Sequence, residues 1–223
     1  DMDMDDETKV TVYESYAQFM AMTVRDRLTG AEYQHKAAVL RKDAKGENAD
    51  YAKSIYSAGL YYTFDMTETG YQKAIPCLEQ ALAAFGKLND ARMVAKCRQM
   101  MGNAFGGLKK FDKAKKCYAE ALSYYEANDR DNAEYPKMIE RVAAMEKFNK
   151  EYEASIGHYR QAMQLFEQRG MMQEYGNAEN GLKLCYAYAG KSMDEAADDR
   201  NDAAVKEAAD LIKTDPNAKI FVT

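Results

Sequence analysis

The sequence predicts an all-α fold, an α-solenoid of about five stacked antiparallel helix hairpins. Its composition favours helices, because Ala, Glu, Lys, Leu, Met and Gln dominate and only three prolines occur in 223 residues. Val, Ile and Thr are too scattered to form a run of strands. Related small and aromatic residues also recur with a spacing of roughly 40–43 residues, which is typical of stacked helical repeats.

The most regular repeat unit covers residues 102–122. Its pattern-forming residues are Gly102, Phe105, Phe111, Ala114, Tyr118 and Ala121. The preceding unit has Gly59, Tyr62, Tyr71, Ala74, Leu78 and Ala81, and the following unit has Ala143, Glu146, Tyr152, Ser155, Tyr159 and Ala162. Steps of three and four residues indicate two amphipathic helices per unit. We expect the small residues to lie where two helix backbones approach closely and the aromatic residues to fill the space beside them. A single hairpin cannot bury its apolar face alone, so the hairpins must stack.

The repeat positions divide the chain into one helical repeat domain over residues 9–214. We expect its hairpins near residues 9–46, 50–88, 90–127, 132–168 and 172–213. The acidic segment 1–8 is predicted to be frayed, and residues 215–223 to form a C-terminal tail.

Capping residues give more local expectations. Asp50 and Asp90 are candidate N-caps, whereas Gly170 and Gly190 are candidate helix stops. The first hairpin is expected to break at Thr29 and Gly30.

These repeat residues resemble the tetratricopeptide repeat (TPR) family. The linker over residues 40–62 resembles the roughly 42-residue subclass found in kinesin light chains, through Gly46, Glu47, Tyr51 and Ala52. Two positions depart from the pattern, because Lys183 stands at a small-residue position and Glu146 at an aromatic one. The resemblance implies a right-handed superhelix whose first helices line a concave groove that binds proteins or peptides.

The resemblance also implies which side chains face that groove. Carried over position by position, the candidate groove residues are Lys53, Tyr56, Leu60, Lys96, Gln99, Asn103, Lys137, Arg141, Asn177 and Asn180. Lys53, Lys96 and Lys137 share one repeat position and predict a local basic ridge in an acidic chain. Such a ridge suits a peptide that carries carboxylates or a free C-terminus. Alternatively, these polar residues are only the solvated face of the first helices.

Composition argues against several other classes of function. The net charge is −5 without a long Lys/Arg block, so nucleic acid is not an expected partner. No apolar run reaches the roughly 20 residues that a membrane span needs. The four cysteines form no C-x-x-C pair and are expected to be buried or half-buried thiols, and the two histidines lie far apart in the repeat order. We therefore predict no catalytic residue, no metal site and no cofactor, and the chain is not expected to be an enzyme.

The function expected from the sequence is a scaffold that binds a protein segment in its groove. A sensor or regulatory segment of a larger protein, and a self-associating structural module, remain alternatives, and homo-oligomerisation is left open. The chain starts at Asp1 without an initiator Met, which indicates a processed product or a fragment. Unpaired cysteines favour the cytoplasm, while an exported mature chain stays open.

Overall fold

The computed structural model describes residues 4–190, which form nine α-helices and a π-helical segment without any strand. The helices are α1 Asp6–Gln18, α2 Arg27–Lys45, α3 Ala49–Phe64, α4 Glu68–Lys87, α5 Ala91–Gly107, α6 Phe111–Asn128, α7 Glu134–Phe148, α8 Tyr152–Gln168 and α9 Met172–Ala189, with the π-helical segment at Phe19–Val24. The all-α prediction is therefore confirmed. The second helix expected in the last hairpin, over 193–213, and the tail 215–223 lie outside the described residues.

The helices stack in chain order. Each helix packs against the one before it and the one after it, and first helices of successive hairpins also touch, α3 against α5 and α7 against α9. Packing that is restricted to neighbours along the chain is the defining property of a solenoid. The predicted stack of antiparallel hairpins is thus confirmed for the part of the chain that the structure describes.

Glycines allow the helices of a hairpin to approach closely. A Cβ atom added to Gly102 would lie 2.5 Å from Cε1 of Tyr118, and one added to Gly59 would lie 2.7 Å from Cγ of Leu78. Both contacts join the two helices of one hairpin, as the repeat pattern predicts. In α9 the close approach falls on Gly181, against the ring of Tyr159, rather than at the exposed Lys183.

One turn geometry recurs at four helix ends. Asn89, Lys109, Lys150 and Gly170 all have positive φ, between 55° and 68°. At each turn the next residue's N–H reaches back to a carbonyl five residues earlier, for example from Lys110 to Phe105 at 2.8 Å. This bond satisfies a carbonyl that the helix end leaves free. Gly170 is thereby confirmed as a helix stop, and Gly190, at φ 71°, ends α9.

The first hairpin differs from the prediction. The chain reverses at Arg25 and Asp26, after the π-helical segment, and not at Thr29 and Gly30. Asp26 caps α2 by accepting the backbone N–H of Thr29, so Thr29 and Gly30 belong to the first turn of α2. Gly30 is needed there because a Cβ atom would lie 2.8 Å from the carbonyl oxygen of Ala17. It is thus a packing glycine and not a turn glycine.

Two N-terminal caps also differ from expectation. Asn48, not Asp50, caps α3, because its side-chain oxygen accepts the N–H groups of Asp50 at 3.0 Å and Tyr51 at 2.9 Å. Asp5 caps α1, so helix begins at Asp6, within the segment 1–8 that was expected to be frayed. The expected cap Asp90 is confirmed, since it accepts the N–H of Met93 at 3.0 Å.

Candidate protein-binding surface

The first helices of successive hairpins, α3, α5, α7 and α9, form what we call the groove face. All ten candidate groove residues lie on these four helices. Because α3 contacts α5 and α7 contacts α9, the helices present neighbouring strips of one surface. Their side chains nevertheless occupy different environments, which separates packing residues from available ones.

On α3 the three candidates differ in exposure. Lys53 is exposed and has no carboxylate within 4.0 Å among the described residues. Tyr56 is half-buried, its ring meets Phe85 edge-on at 6.4 Å, and burial raises its pKa to about 12. Leu60 is also half-buried against the core. Tyr56 and Leu60 therefore contribute mainly to packing, and Lys53 is the available group of this strip.

On α5, the first two of three candidates, Lys96 and Gln99, are separated by about one helical turn. Lys96 is half-buried and, like Lys53, has no ion-pair partner in residues 4–190. Gln99 is only 7% exposed, and its Nε2 donates to Glu134 Oε2 of α7 at 2.6 Å. Gln99 thus joins α5 to α7 through this hydrogen bond, whereas the ammonium group of Lys96 is available to a binding partner.

Asn103 and Arg141 belong to one polar cluster with Tyr118. The Asn103 side-chain oxygen accepts from the Tyr118 hydroxyl at 2.7 Å and from Arg141 Nη1 at 2.5 Å. The Arg141 guanidinium also lies 5.7 Å from the centre of the Tyr118 ring. Within the described part of the chain, the side-chain nitrogen of Asn103 donates only to the sulfur of Met100, at 3.7 Å. The Asn103 amide therefore keeps N–H capacity for a bound chain, while its oxygen is occupied.

Carboxylates surround Lys137, and the repeat pattern did not predict them. Its ammonium group lies 3.5 Å from Glu134 and 3.6 Å from Glu174. Glu140, one turn further along α7, is half-buried, and burial raises its pKa. The groove face is therefore mixed in charge at α7, and the expected basic ridge has its unpaired members at Lys53 and Lys96. Acidic residues three positions either side of Lys137 were a visible signal of this arrangement.

On α9 Asn177 and Asn180 are exposed. Their amides make no hydrogen bond to any residue in the described range. Both side chains are therefore free to donate and accept hydrogen bonds at this end of the groove face.

The described residues contain no group of three or more His, Cys, Asp or Glu side chains that could hold a metal ion. All four cysteines are buried free thiols, as expected, and burial raises the pKa of Cys97 to about 12. Between residues 4 and 190, no helix combines the length and the apolar character that crossing a membrane requires.

Comparison with solved structures places the fold among TPR-like repeat proteins. The chain superposes on kinesin-light-chain TPR-like repeats from Podospora anserina with a TM-score of 0.67 and 12% identity, covering 96% of this chain and 100% of that one. Aspartyl phosphate phosphatase F from Bacillus subtilis gives 0.68 and 16%, over 93% and 53% of the two chains. A Rap protein complexed with competence and sporulation factor gives 0.59 and 16%, over 94% and 54%. The predicted TPR-like architecture is confirmed.

Sequence comparison identifies the family more closely. No individual curated protein matches the chain. The family model of the soluble NSF attachment protein, SNAP, matches residues 10–177, a segment that includes α2 to α8 entirely and most of α1. A match over that much of the chain places it in the family: this protein belongs to the soluble NSF attachment protein (SNAP) family.

Proposed function

We propose that the chain is a non-enzymatic scaffold that binds a segment of another protein along the groove face. The observation that carries this proposal is that two ammonium groups at equivalent positions of neighbouring hairpins, Lys53 and Lys96, have no carboxylate partner within residues 4–190. A cation that is not neutralised within its own protein is free to form charge-assisted hydrogen bonds with a carboxylate of a partner.

The comparisons support a role in protein interaction. The family is named for the attachment of NSF, and one structural neighbour was solved in complex with a competence and sporulation factor. NSF is therefore the first partner to test for this chain.

The mixed charge of the groove face suggests how a partner is oriented. Acidic groups of the partner pair with Lys53 and Lys96 near α3 and α5. Basic or amide groups suit the half-buried Glu140 near α7 and the amides of Asn177 and Asn180 on α9. A segment with its acidic part at α3–α5 and its basic or amide part at α7–α9 is thus bound in one direction, because the reverse direction places like charges together.

The test is capture of NSF, and of crosslinked proteins from the native source, on the immobilised chain. A double variant, Lys96→Glu with Lys137→Gln, reverses the available cation of α5 and removes the ion-paired cation of α7, without adding a third carboxylate beside Glu134 and Glu174. We expect partner retention to fall at least tenfold. The matched control is Lys116→Glu, an exposed residue of α6 away from the groove face, which should leave retention unchanged.

Circular dichroism and light scattering accompany the capture assay, because loss of helicity or self-association would also alter retention. Equal retention by the wild-type chain and the double variant, with helicity intact, would contradict the use of the groove face.

A further inference from the structure

A polar cavity of about 440 Å³ opens between α1, α2 and α3. Its lining includes Lys53, which also belongs to the groove face, so the cavity lies at the N-terminal end of that surface. All but one of the side chains that line it are hydroxyl-bearing aliphatic, amide or charged groups, and the exception is Tyr61, which also carries a hydroxyl. A cavity this polar is built to hold hydrogen-bonding groups, since apolar ligands gain little from it.

A hydrogen-bonded network fixes the cavity wall. The Arg41 guanidinium donates twice to the Glu14 carboxylate, at 3.1 Å and 2.9 Å. Ser54 donates to the same carboxylate at 3.1 Å and accepts from Gln34 Nε2 at 3.0 Å. Ser54 is 3% exposed and Gln34 is 7% exposed. The network therefore joins three helices, cancels one charge pair and holds its side chains in place before any ligand arrives.

Other groups of the cavity have no partner among the described residues. The Lys53 ammonium group, the Ser15 hydroxyl and the Tyr61 hydroxyl are donors without an acceptor, and the Gln34 side-chain oxygen is an acceptor without a donor. Burial raises the pKa of Tyr61, so its hydroxyl stays protonated and able to donate. A peptide backbone carries both N–H and C=O groups, so it can accept hydrogen bonds from these donors and donate one to this acceptor.

The spacing along α3 sets the size of the ligand. Lys53 and Tyr61 are eight residues apart on one helix face, which corresponds to about 12 Å at 1.5 Å per residue. An extended chain advances about 3.3 Å per residue, so about four residues fit this length. The Asp50 carboxylate also lines the cavity and opposes a ligand with more than one negative charge.

We propose that this cavity binds about four residues of an extended peptide with one carboxylate side chain, which pairs with Lys53. Ser15 and Tyr61 donate to backbone carbonyl groups of the peptide, and the Gln34 side-chain oxygen accepts a backbone N–H. The inference rests on the proposed scaffold function and adds a specific subsite to it, whose lining includes neither Lys96 nor Lys137.

The test is a chemical-shift titration of the ¹⁵N-labelled full chain with the capped tetrapeptide acetyl-Ser-Asp-Ser-Gly-amide. We expect saturable shifts confined to the amides around the cavity, over residues 11–18 of α1, 34–41 of α2 and 50–61 of α3. The matched peptide acetyl-Ser-Asn-Ser-Gly-amide should bind about fivefold more weakly, the value of one partly exposed ion pair. Lys53→Gln should remove this difference between the peptides, whereas Lys96→Gln should preserve it.

Three results would overturn the proposal: no saturable shifts at the highest soluble peptide concentration, equal affinity for both peptides in the wild-type chain, or inorganic phosphate that binds at the cavity as tightly as the Asp peptide. Failure here remains distinguishable from failure of the scaffold function. If Lys96→Glu with Lys137→Gln abolishes partner capture but the peptides show no preference, the cavity proposal falls and the groove face stands. If the cavity discriminates between the peptides and capture is unaffected, the cavity stands and the groove proposal falls.

Discussion

His158 and Glu146 form a partly buried polar contact between α7 and α8. The His158 Nδ1 atom lies 2.7 Å from Glu146 Oε2, and Glu146 is only 6% exposed. The hydrogen bond to Glu146 is the main reason that the pKa of His158 is raised. Glu146, which departs from the aromatic repeat pattern, thus has a polar, titratable partner instead of an apolar one.

This contact makes stability depend on pH. Because the folded pKa of His158 is raised, its stabilisation is present in full below the unfolded pKa, about 6.5, and is lost as the pH rises through the folded value. We expect His158→Asn to lower the free energy of unfolding by about 1 kcal/mol at pH 5.5, and by less at pH 8.5. Urea denaturation at the two pH values measures the difference.

His35 supplies a control of opposite sign. Burial, and then the nearby Lys73, lower its pKa, so its presence costs stability as the pH falls below the unfolded value. His35→Asn should therefore improve stability at pH 5.5 relative to pH 8.5. A His158→Asn effect that is the same at both pH values would contradict the assignment.

Gly102 determines how closely α5 and α6 pack. A Cβ atom there would lie 2.5 Å from the Tyr118 ring, which is held by its hydroxyl bond to Asn103 and by Arg141. We expect Gly102→Ala to lower the free energy of unfolding by about 1–3 kcal/mol, since the ring cannot move aside freely.

The control for that change is Gly157→Ala in α8. Gly157 is exposed and a Cβ atom there would meet nothing within 4 Å, so the substitution should raise stability by about 0.5–1 kcal/mol through helix propensity alone. Thermal unfolding of both variants measures the contrast, and a shift of the same sign in both would exclude close packing as the cause.

At the scale of elements, α3 begins at a cap that sequence reasoning placed two residues too late. Asn48→Ala removes an oxygen that accepts two backbone N–H groups, so we expect a loss of about 1 kcal/mol in unfolding free energy. Asn48→Asp keeps the acceptor and should restore most of that stability. Asp50→Ala, which removes the cap expected from the sequence, should lower the free energy of unfolding by less than Asn48→Ala does, as measured by urea denaturation. A larger loss for Asp50→Ala would show that Asp50 is the capping residue.

The repeated elements were predictable because one spacing rule generates them. Gly59 meets Leu78 nineteen residues later and Gly102 meets Tyr118 sixteen residues later, because each hairpin brings the same repeat positions of its two helices together. The reversal at Arg25 was not predictable from that rule. It follows a π-helical segment, and the turn residue has φ 65° although it is not a glycine.

For the candidate groove residues, too, one part was predictable from the sequence and another was not. The repeat period places Lys53, Lys96 and Lys137 on first helices, but the neighbours of each lysine lie on other helices. Lys137 forms an ion pair with Glu174 across the α7–α9 contact, while Lys96 forms none with the residues that the structure describes. The place of each lysine on its helix follows from the repeat period. Whether its ammonium group is free to bind a partner depends on contacts between residues about 35–40 positions apart, which a repeat alignment does not specify.

At the scale of the whole molecule, helices contact mainly their neighbours, so a substitution that destabilises a terminal helix need not destabilise the helices far from it. The helix α1 buries only Val10 and Ala17, and Glu14 links it to the array by accepting two hydrogen bonds from Arg41 and one from Ser54. The centre of the array is different, because α5 and α6 pack on neighbours at both sides. In a quasi-one-dimensional array, the free energy of opening is therefore lower at the end than in the middle.

Hydrogen–deuterium exchange with mass spectrometry tests this gradient. Arg41→Ala leaves the partly buried Glu14 carboxylate with Ser54 as its remaining donor, at a cost of about 1.4 kcal/mol, which is a tenfold change in an opening equilibrium. We expect exchange to rise about tenfold over residues 6–18 and to stay at the wild-type rate in α5–α8. Lys42→Ala, which removes the exposed ion pair with Glu47, should leave the exchange rate of α1 unchanged.

Gly102→Ala, in the centre of the array, should accelerate exchange in α5, α6 and the helices packed against them. If Arg41→Ala instead raises exchange equally from α1 to α9, the array opens as one cooperative unit, because only strong coupling between all hairpins can carry a terminal defect to α9.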